Sequence, residues 1–330
     1  MEMRRLGSSG IGVTAVGLGT WAIGGGPWWG TTNDEQSIRA IHASLDAGIN
    51  LIDTAPAYGF GHSERIVGRA IRDRRDRVVL ATKCGLWWKD GTGSVFFEQS
   101  GKTVRRSLDP RTIRIEVEES LRRLGTDRID LMQTHWQATP DAPTPIADTM
   151  ACLTQLRAEG KIRAIGVSNA TPAQMDEYRA AGDLAACQPR YSMLDRKIEA
   201  DVLPYCRDQG IAALVYSPLE QGLLTGKIGM DRQFSPEAAR NMIPWFRPGN
   251  RHRVLDMLAR WDDLCEKHAC SLAQLVIAWT VAQPGVTCAL CGARKPEDAE
   301  ENAGAGAVHL GPEDAARMRA DVEALGEPAA

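Results

Sequence analysis

No apolar run in this 330-residue chain is long enough to cross a bilayer, and neither sign of charge is in excess: 39 Lys and Arg stand against 42 Asp and Glu. The first absence argues against a membrane span. The second leaves no electrostatic footprint for a nucleic acid or a membrane surface. Local arginine clusters (Arg72, Arg74, Arg75 and Arg77; Arg105 and Arg106) lie beside Asp and Glu and read as solvated faces. The opening residues, MEMRRLG, lack the apolar centre of a signal peptide. The eight cysteines, at 84, 152, 187, 206, 265, 270, 288 and 291, have no disulfide-framework spacing, so a reducing cytoplasm is expected. Cys288 and Cys291 form a C-x-x-C, but it lies in an apolar strand-like run with no second pair, too little for a zinc or redox site.

What is present is a repeated strand-then-helix pattern. Residues 3–15 read as a hairpin about Gly7 and Gly10. Strands follow at 16–21, 50–53, 78–83, 129–134, 162–167, near 188, at 211–216 and at 286–290. Nearly all precede an amphipathic helical stretch, and their apolar runs do not alternate, as in strands covered on both faces. Eight such units over residues 1–330 predict a single (β/α)₈ TIM barrel domain, with the hairpin at its N-terminus and long loops over the C-terminal face. Residues 84–109 read as an irregular loop over a site, residues 217–250 as a second long loop, and 251–268 as one helix. A doubly wound nucleotide-binding sheet is the rival. Its support, Gly17-x-Gly19 and Gly24 to Gly26, is interrupted by Trp28 and Trp29 where a helix should begin.

In a barrel, chemistry gathers where the strands' C-terminal ends meet. Those ends carry Asp53, Lys83, His135, Ser168, Asn169, Gln188, Tyr216 and Arg294, and Tyr58 joins from the loop after Asp53. Taken singly, Asp53 is a turn cap, Lys83 a snorkelling surface lysine and His135 a structural hydrogen-bonder. Together they supply an acid, a base and a phenol. Lys83 beside Tyr58 is expected to lower the phenol's pKa from its usual value near 10. Asp53 would hold Lys83 in place, Tyr58 would exchange a proton with a carbonyl or alcohol oxygen, and His135 would orient that oxygen. There is no activated Ser or Cys for acyl transfer and no His–carboxylate cluster for a metal. A phenol acid without nucleophile or metal suits carbonyl–alcohol redox, which requires a hydride carrier. Trp28, Trp29, Trp87, Trp88 and Trp136 fall in or near loops at the strand ends, with Trp21, Phe96 and Phe97, and are expected to wall a substrate pocket.

The stretches DTAxxYGxGxSE (53–64), TK (82–83), QTH (133–135), IGVSN (165–169), YSPL (216–219), GLLTGK (222–227) and GAR (292–294) with Glu301 and Asn302 resemble the aldo-keto reductase superfamily over nearly the whole chain. Within it, GAR followed by Lys295 and Pro296, and GLLTGK, are most similar to bacterial reductases of the glyceraldehyde/glycerol type. The resemblance implies an enzyme that reduces an aldehyde or ketone, or runs the reverse, with Asp53, Tyr58, Lys83 and His135 as its tetrad. It implies NADP(H) bound without a Rossmann domain. Gly19, Thr20, Trp21 and Asp53 would lie along the cofactor. Ser168, Asn169 and Gln188 would hold the carboxamide, with Tyr216 stacked on the nicotinamide. Ser217, Pro218, Leu219, Gln221 and Lys227 would line the pyrophosphate; Gly292, Arg294, Asp298, Glu301 and Asn302 would surround the adenosine. Many relatives carry Lys and Arg where this chain has Gly292 and Asp298, so the 2′-phosphate grip falls to Arg294, and NAD(H) stays open. The alternative function on the same scaffold is a cofactor-binding redox sensor or regulatory subunit, like the β-subunits of potassium channels.

Overall fold

The computed structural model describes residues 1–329. Strands β1 (Met3–Arg5) and β2 (Gly12–Thr14) pair antiparallel as the expected hairpin. Eight parallel strands then close a barrel: β3 (Val16–Gly19), β4 (Leu51–Asp53), β5 (Val79–Cys84), β9 (Ile129–Thr134), β10 (Ile162–Ser168), β11 (Ala186–Gln188), β12 (Ala212–Tyr216) and β13 (Val286–Gly292). Residues 86–106 are not irregular. They form a three-stranded antiparallel sheet of β6 (Leu86–Trp87), β7 (Ser94–Gln99) and β8 (Lys102–Arg106), in the order β6-β8-β7. The 251–268 stretch is also broken. A helix at Pro248–Leu258 passes through a tight turn at Ala259–Trp261 into a second at Asp262–Lys267. The 217–250 segment is a chain of short 3₁₀ turns leading into that first helix. Among the described residues, no helix is long and apolar enough to cross a membrane.

The period of two along each strand positions the site. Inward residues Leu51, Val79, Ala81, Leu131, Ala164, Ala186, Ala212, Leu214, Cys288 and Leu290 form one apolar cluster, sealed from below by Leu6, Ile11 and Val13 of the hairpin. Outward residues such as Ile52, Leu80, Met132, Ile165, Val167, Ala213 and Val215 pack under the helices in a second cluster. Continuing the inward series by two at each strand's end yields Asp53, Lys83, Gln133, Ser168, Gln188, Tyr216 and Gly292. Apolar side chains fill the lower barrel; its top layer is mostly polar. Cys288 and Cys291 are buried in β13 as free thiols.

Behind that layer, the 4%-exposed Glu116 on the helix Pro110–Leu124 accepts a hydrogen bond from Gly85 N at 2.8 Å through one oxygen, while the other has no partner. Burial pushes its carboxyl up to about 8, against an opposing pull from the Gly85 hydrogen bond. The folded protein thus retains a proton that the unfolded chain loses near the ordinary glutamate value. That stability is present below the unfolded pKa and is lost as pH rises toward 8. Relative to Glu116→Gln, which keeps shape without titrating, the native protein is expected to lose stability steadily between about pH 5 and pH 8. Urea midpoints of both proteins across that range test this; parallel curves would mean that Glu116 is already ionised.

Candidate active site

The loop carrying Tyr58 is fixed on both sides. Gly59 has φ +63°, and a Cβ there would lie 2.2 Å from the Gly24 carbonyl oxygen, so only glycine lets the two turns meet. Ser63 Oγ lies 2.8 Å from Thr20 Oγ1 and 3.0 Å from Thr54 Oγ1, and Thr20 Oγ1 donates to Asp53 O. Glu64, fully buried, accepts from Thr82 Oγ1 at 2.8 Å and from Arg123 Nε at 2.6 Å, tying the helix His62–Ile71 to β5.

Within this frame the tetrad assembles. Lys83, 1% exposed, directs its ammonium to Asp53 Oδ1 at 2.5 Å, to Thr54 O at 3.0 Å and to the Tyr58 hydroxyl at 3.2 Å. Asp53 Oδ2 accepts from Gln188 Nε2 at 2.9 Å and from Gln133 Nε2 at 3.1 Å. The His135 ring meets the Tyr58 ring edge-on, with centroids 5.9 Å apart. Burial pulls the lysine down, but Asp53 and Tyr58 together raise it above its ordinary value. For Tyr58 burial dominates: the phenol is raised, although Lys83 opposes. That corrects the expectation of a lowered phenol, because removing the phenolate from water costs more than one neighbouring ammonium returns. Burial, with the like charge of Lys83, holds the His135 imidazole well below its usual value.

Tyr58 and His135 open into a cavity of about 620 Å³ that runs across the C-terminal face. Lys83 does not line it and lies behind Tyr58 and Asp53, which do. Every other residue expected to contact the cofactor lines the cavity: Gly19, Thr20, Trp21 and Asp53; Ser168, Asn169, Gln188 and Tyr216; Ser217, Pro218, Leu219, Gln221 and Lys227; Gly292, Arg294, Asp298, Glu301 and Asn302. Trp28, Trp29 and Trp136 line it too, with Ala57, Leu86, Phe96 and Phe97. Trp87 and Trp88 do not. Trp87 is buried and donates through Nε1 to Asp90, and Trp88 packs edge-on against Phe60 with centroids 5.2 Å apart. These two belong to the packing of the small sheet, which corrects their placement in the substrate pocket.

Several of the cofactor-side groups already have protein partners. Asn169 Oδ1 accepts from the Tyr216 hydroxyl at 2.9 Å, and its Nδ2 donates to His135 O and Ser168 Oγ. Lys227 pairs with Glu301 at 2.6 Å. Backbone strain gathers on the same rim. Asn169, Ser217, Glu220 and Gln221 all have φ between +46° and +61°, the left-handed region that non-glycine residues seldom occupy. Buried Glu220 accepts from Arg190 and from Ser192 Oγ, and so pins the strained 217–222 turn. The residues fit a dinucleotide in one specific respect: among the described residues, the buried Trp29 Nε1 and Gln221 Oε1, a donor and an acceptor on residues lining the groove, have no partner. Among the described residues, no group of three or more His, Cys, Asp or Glu could hold a metal ion.

Gln133, Glu220 and Arg240 were missed from the sequence. Gln133 was recoverable, since it stands two residues beyond the inward Leu131. Arg240 also lines the cavity but lies far from any strand end, in a segment with no periodicity.

The chain is 47% identical over 327 residues to the NADH-specific methylglyoxal reductase of Escherichia coli (strain K12), covering 98% of this chain and 99% of that one. Among solved structures, the glycerol dehydrogenase AKR11B4 from Gluconobacter oxydans superposes with a TM-score of 0.86 at 40% identity, covering 99% of this chain and 96% of that one. An aldo/keto reductase from Klebsiella pneumoniae, solved in complex with NADP and acetate, gives a TM-score of 0.72 at 28% identity, with 96% and 94% coverage. The profile of the Aldo/keto reductase family matches residues 15–323, and the chain belongs to that family.

Proposed function

We propose that this protein reduces an aldehyde or ketone to the alcohol, or runs the reverse, with a nicotinamide dinucleotide in the long groove and Tyr58 as general acid and base. The observation that carries the reading is the Lys83 ammonium, held by Asp53 at 2.5 Å and donating to the Tyr58 hydroxyl at 3.2 Å, beneath a cavity that His135 also lines. When bound, the nicotinamide supplies the hydride, or accepts it. Every other task falls to the chain. Tyr58 gives its proton to the carbonyl oxygen as charge develops there, and Lys83 steadies the phenolate that remains. Neutral His135 donates a hydrogen bond to the same oxygen. Trp21, Trp28, Phe96, Phe97 and Trp136 exclude water around it.

Two observations pull the cofactor preference in opposite directions. Arg294 in the groove supports NADPH, through a bidentate, permanently charged grip on a 2′-phosphate. Asp298 nearby supports NADH, as does the name of the Escherichia coli relative. Steady-state oxidation of NADPH and NADH with one generic aldehyde decides. Higher efficiency with NADPH assigns Arg294 to the phosphate, and equal or higher efficiency with NADH makes Asp298 the deciding residue. Tight cofactor binding without turnover of any carbonyl would replace the enzyme by a sensing module.

The protonation states give a pH profile. Reduction needs the neutral phenol, and both Tyr58 and Lys83 titrate above their ordinary values. Because His135 is neutral throughout, kcat for reduction is expected to be flat from about pH 6 to 9 and to fall only above about 10, the free tyrosine value. The reverse reaction needs the phenolate and should rise with pH. An inflection in the reduction kcat near 6.5 would instead make the imidazolium the acid.

A further inference from the structure

One end of the cavity is walled by rings that touch in series. From Trp136, next in the chain to His135, the series runs through Phe96, Phe97, Trp28 and Trp21 to Tyr58, with successive centroids 5.2, 5.3, 5.0, 5.8 and 6.3 Å apart. The edge-on contact of Tyr58 with His135 closes it. A carbonyl held between Tyr58 and His135 therefore lays its substituent against this wall. One member of the wall has no place in a strand ladder. In β7, Val95 pairs with Arg105 and Phe97 with Val104, so Phe96 is the extra residue of a β-bulge. The bulge brings two consecutive phenylalanines to the cavity, and it leaves Phe96 without a cross-strand partner.

Arg106 supplies what the ladder does not. It ends β8 on the same face as Val104, which is fully buried. Its guanidinium lies 4.0 Å from the Phe96 centroid and 4.7 Å from that of Trp136. Burial draws it below the ordinary arginine value, and no carboxylate opposes that pull. The two ring faces are thus its partners, and such faces hold a cation more strongly once water is removed. Half-buried in this stack, Arg106 is not part of the solvated face expected from the sequence. It does not line the cavity, so it acts on a substrate only through the rings.

We propose that Arg106 is a positioning residue that sets selectivity for aryl carbonyl substrates, by clamping the bulged Phe96 to Trp136 so that fixed ring faces stand beside His135. The inference rests on the proposed carbonyl reduction. A small aliphatic aldehyde reaches Tyr58 and His135 without using the wall, whereas an aryl aldehyde gains binding by packing its ring on it. The clamp should therefore appear in KM for the aryl substrate. It should not appear in kcat, because Tyr58 and Lys83 lie outside the stack of Phe96, Arg106 and Trp136.

Steady-state kinetics with benzaldehyde and propanal test this, using whichever of NADPH and NADH the native protein oxidises faster. Arg106→Met keeps an unbranched apolar stem without the charge. It is expected to raise KM for benzaldehyde about 3- to 30-fold, the range of a cation–π contact, while KM for propanal stays within about twofold and both kcat values hold. Arg106→Lys keeps the cation without its plane and should fall between; it is the informative variant should Arg106→Met fail to fold. Phe96→Leu removes the ring being clamped, so adding Arg106→Met to it should raise the benzaldehyde KM little further. Additive effects in that pair would overturn the proposal. So would an equal rise for both aldehydes, a fall in kcat at constant KM, or a native KM lower for propanal than for benzaldehyde. An unchanged benzaldehyde KM in Arg106→Met, or in Arg106→Lys where only that variant folds, would overturn it as well. A native protein that turns over no carbonyl would instead overturn the proposed function.

Discussion

Tyr58→Phe is expected to lower kcat for carbonyl reduction by about 10²- to 10⁴-fold, the usual worth of a positioned general acid. The substitution removes one oxygen and nothing else. Lys83 keeps Asp53 at 2.5 Å and Thr54 O at 3.0 Å, so its charge stays compensated. The ring keeps its contact with His135 and its place beside Trp21, 6.3 Å between centroids. The stability cost is therefore that of one hydrogen bond, about 1 kcal/mol. Affinity for NADPH or NADH should hardly change, because in the proposed mechanism the hydroxyl serves the substrate oxygen. Steady-state kinetics, a thermal melt and cofactor titration on one preparation separate these effects. A variant retaining more than a tenth of the native kcat would remove Tyr58 from the chemistry and leave His135 as the acid. A large loss of cofactor affinity would mean that the hydroxyl organises the groove.

The pH behaviour follows from the same balance. A phenol lowered toward neutrality would ionise in the working range and act well as a base but poorly as an acid. The raised Tyr58 is a donor at neutral pH. In the proposed mechanism, burial beneath the aromatic wall keeps the phenol protonated, as reduction requires, and oxidation would need a higher pH. Lys83 limits how far the phenol rises without setting its direction.

The barrel and the positions of Asp53 and Lys83 were legible because both follow from one regularity, whereas Tyr58 and His135, which lie beyond the strands, rest on the motif resemblance. An inward-facing apolar series that ends in a polar residue marks a strand and also marks what that strand presents at its top. Asp53, Lys83 and Gln188 obey it, and so does Gln133. The sheet at 86–106 was hidden for a different reason. Its turn, Ser100 with Gly101, both at positive φ, connects strands whose aromatic residues resemble pocket walls. Phe96 and Phe97 do line the cavity, but Trp87 packs inward, and nothing in a tryptophan's spacing alone distinguishes the two fates. Arg240 was out of reach for a third reason. Its neighbours Trp29 and Gln221 lie on other segments, so its place in the cavity wall is a property of the folded surroundings. Tyr58's shift belongs to the same class: the sequence names the charge beside it but not the depth at which both are buried.

Lys83→Met is expected to destabilise the protein by about 3–5 kcal/mol, the cost of stripping one partner from a buried ion pair. For a chain of this size that is a melting point lower by roughly 4–7 °C. The long side chain itself is not the source, since methionine fills nearly the same volume. Asp53 is: it is 3% exposed, and without the ammonium it retains only the Gln188 and Gln133 amides at 2.9 and 3.1 Å. Asp53→Asn should also destabilise, by leaving the Lys83 ammonium with only neutral acceptors, the amide oxygen at position 53, Thr54 O and the Tyr58 hydroxyl. The double variant Lys83→Met/Asp53→Asn leaves no buried charge, so it should be more stable than the sum of the single effects allows, and its recovery measures the coupling. The pH dependence identifies the charge. Because the folded-state value of Lys83 lies above its unfolded value, the pair's stabilisation is complete below the free lysine value near 10.4 and is lost as pH rises through the folded one. The gap between native and Lys83→Met melting points should therefore be constant from about pH 7 to 10 and narrow above it. Additive single effects, or a gap that closes already at neutral pH, would mean that the contact between Lys83 and Asp53 is packing rather than an ion pair, and the lysine could then no longer be the group that steadies the Tyr58 phenolate.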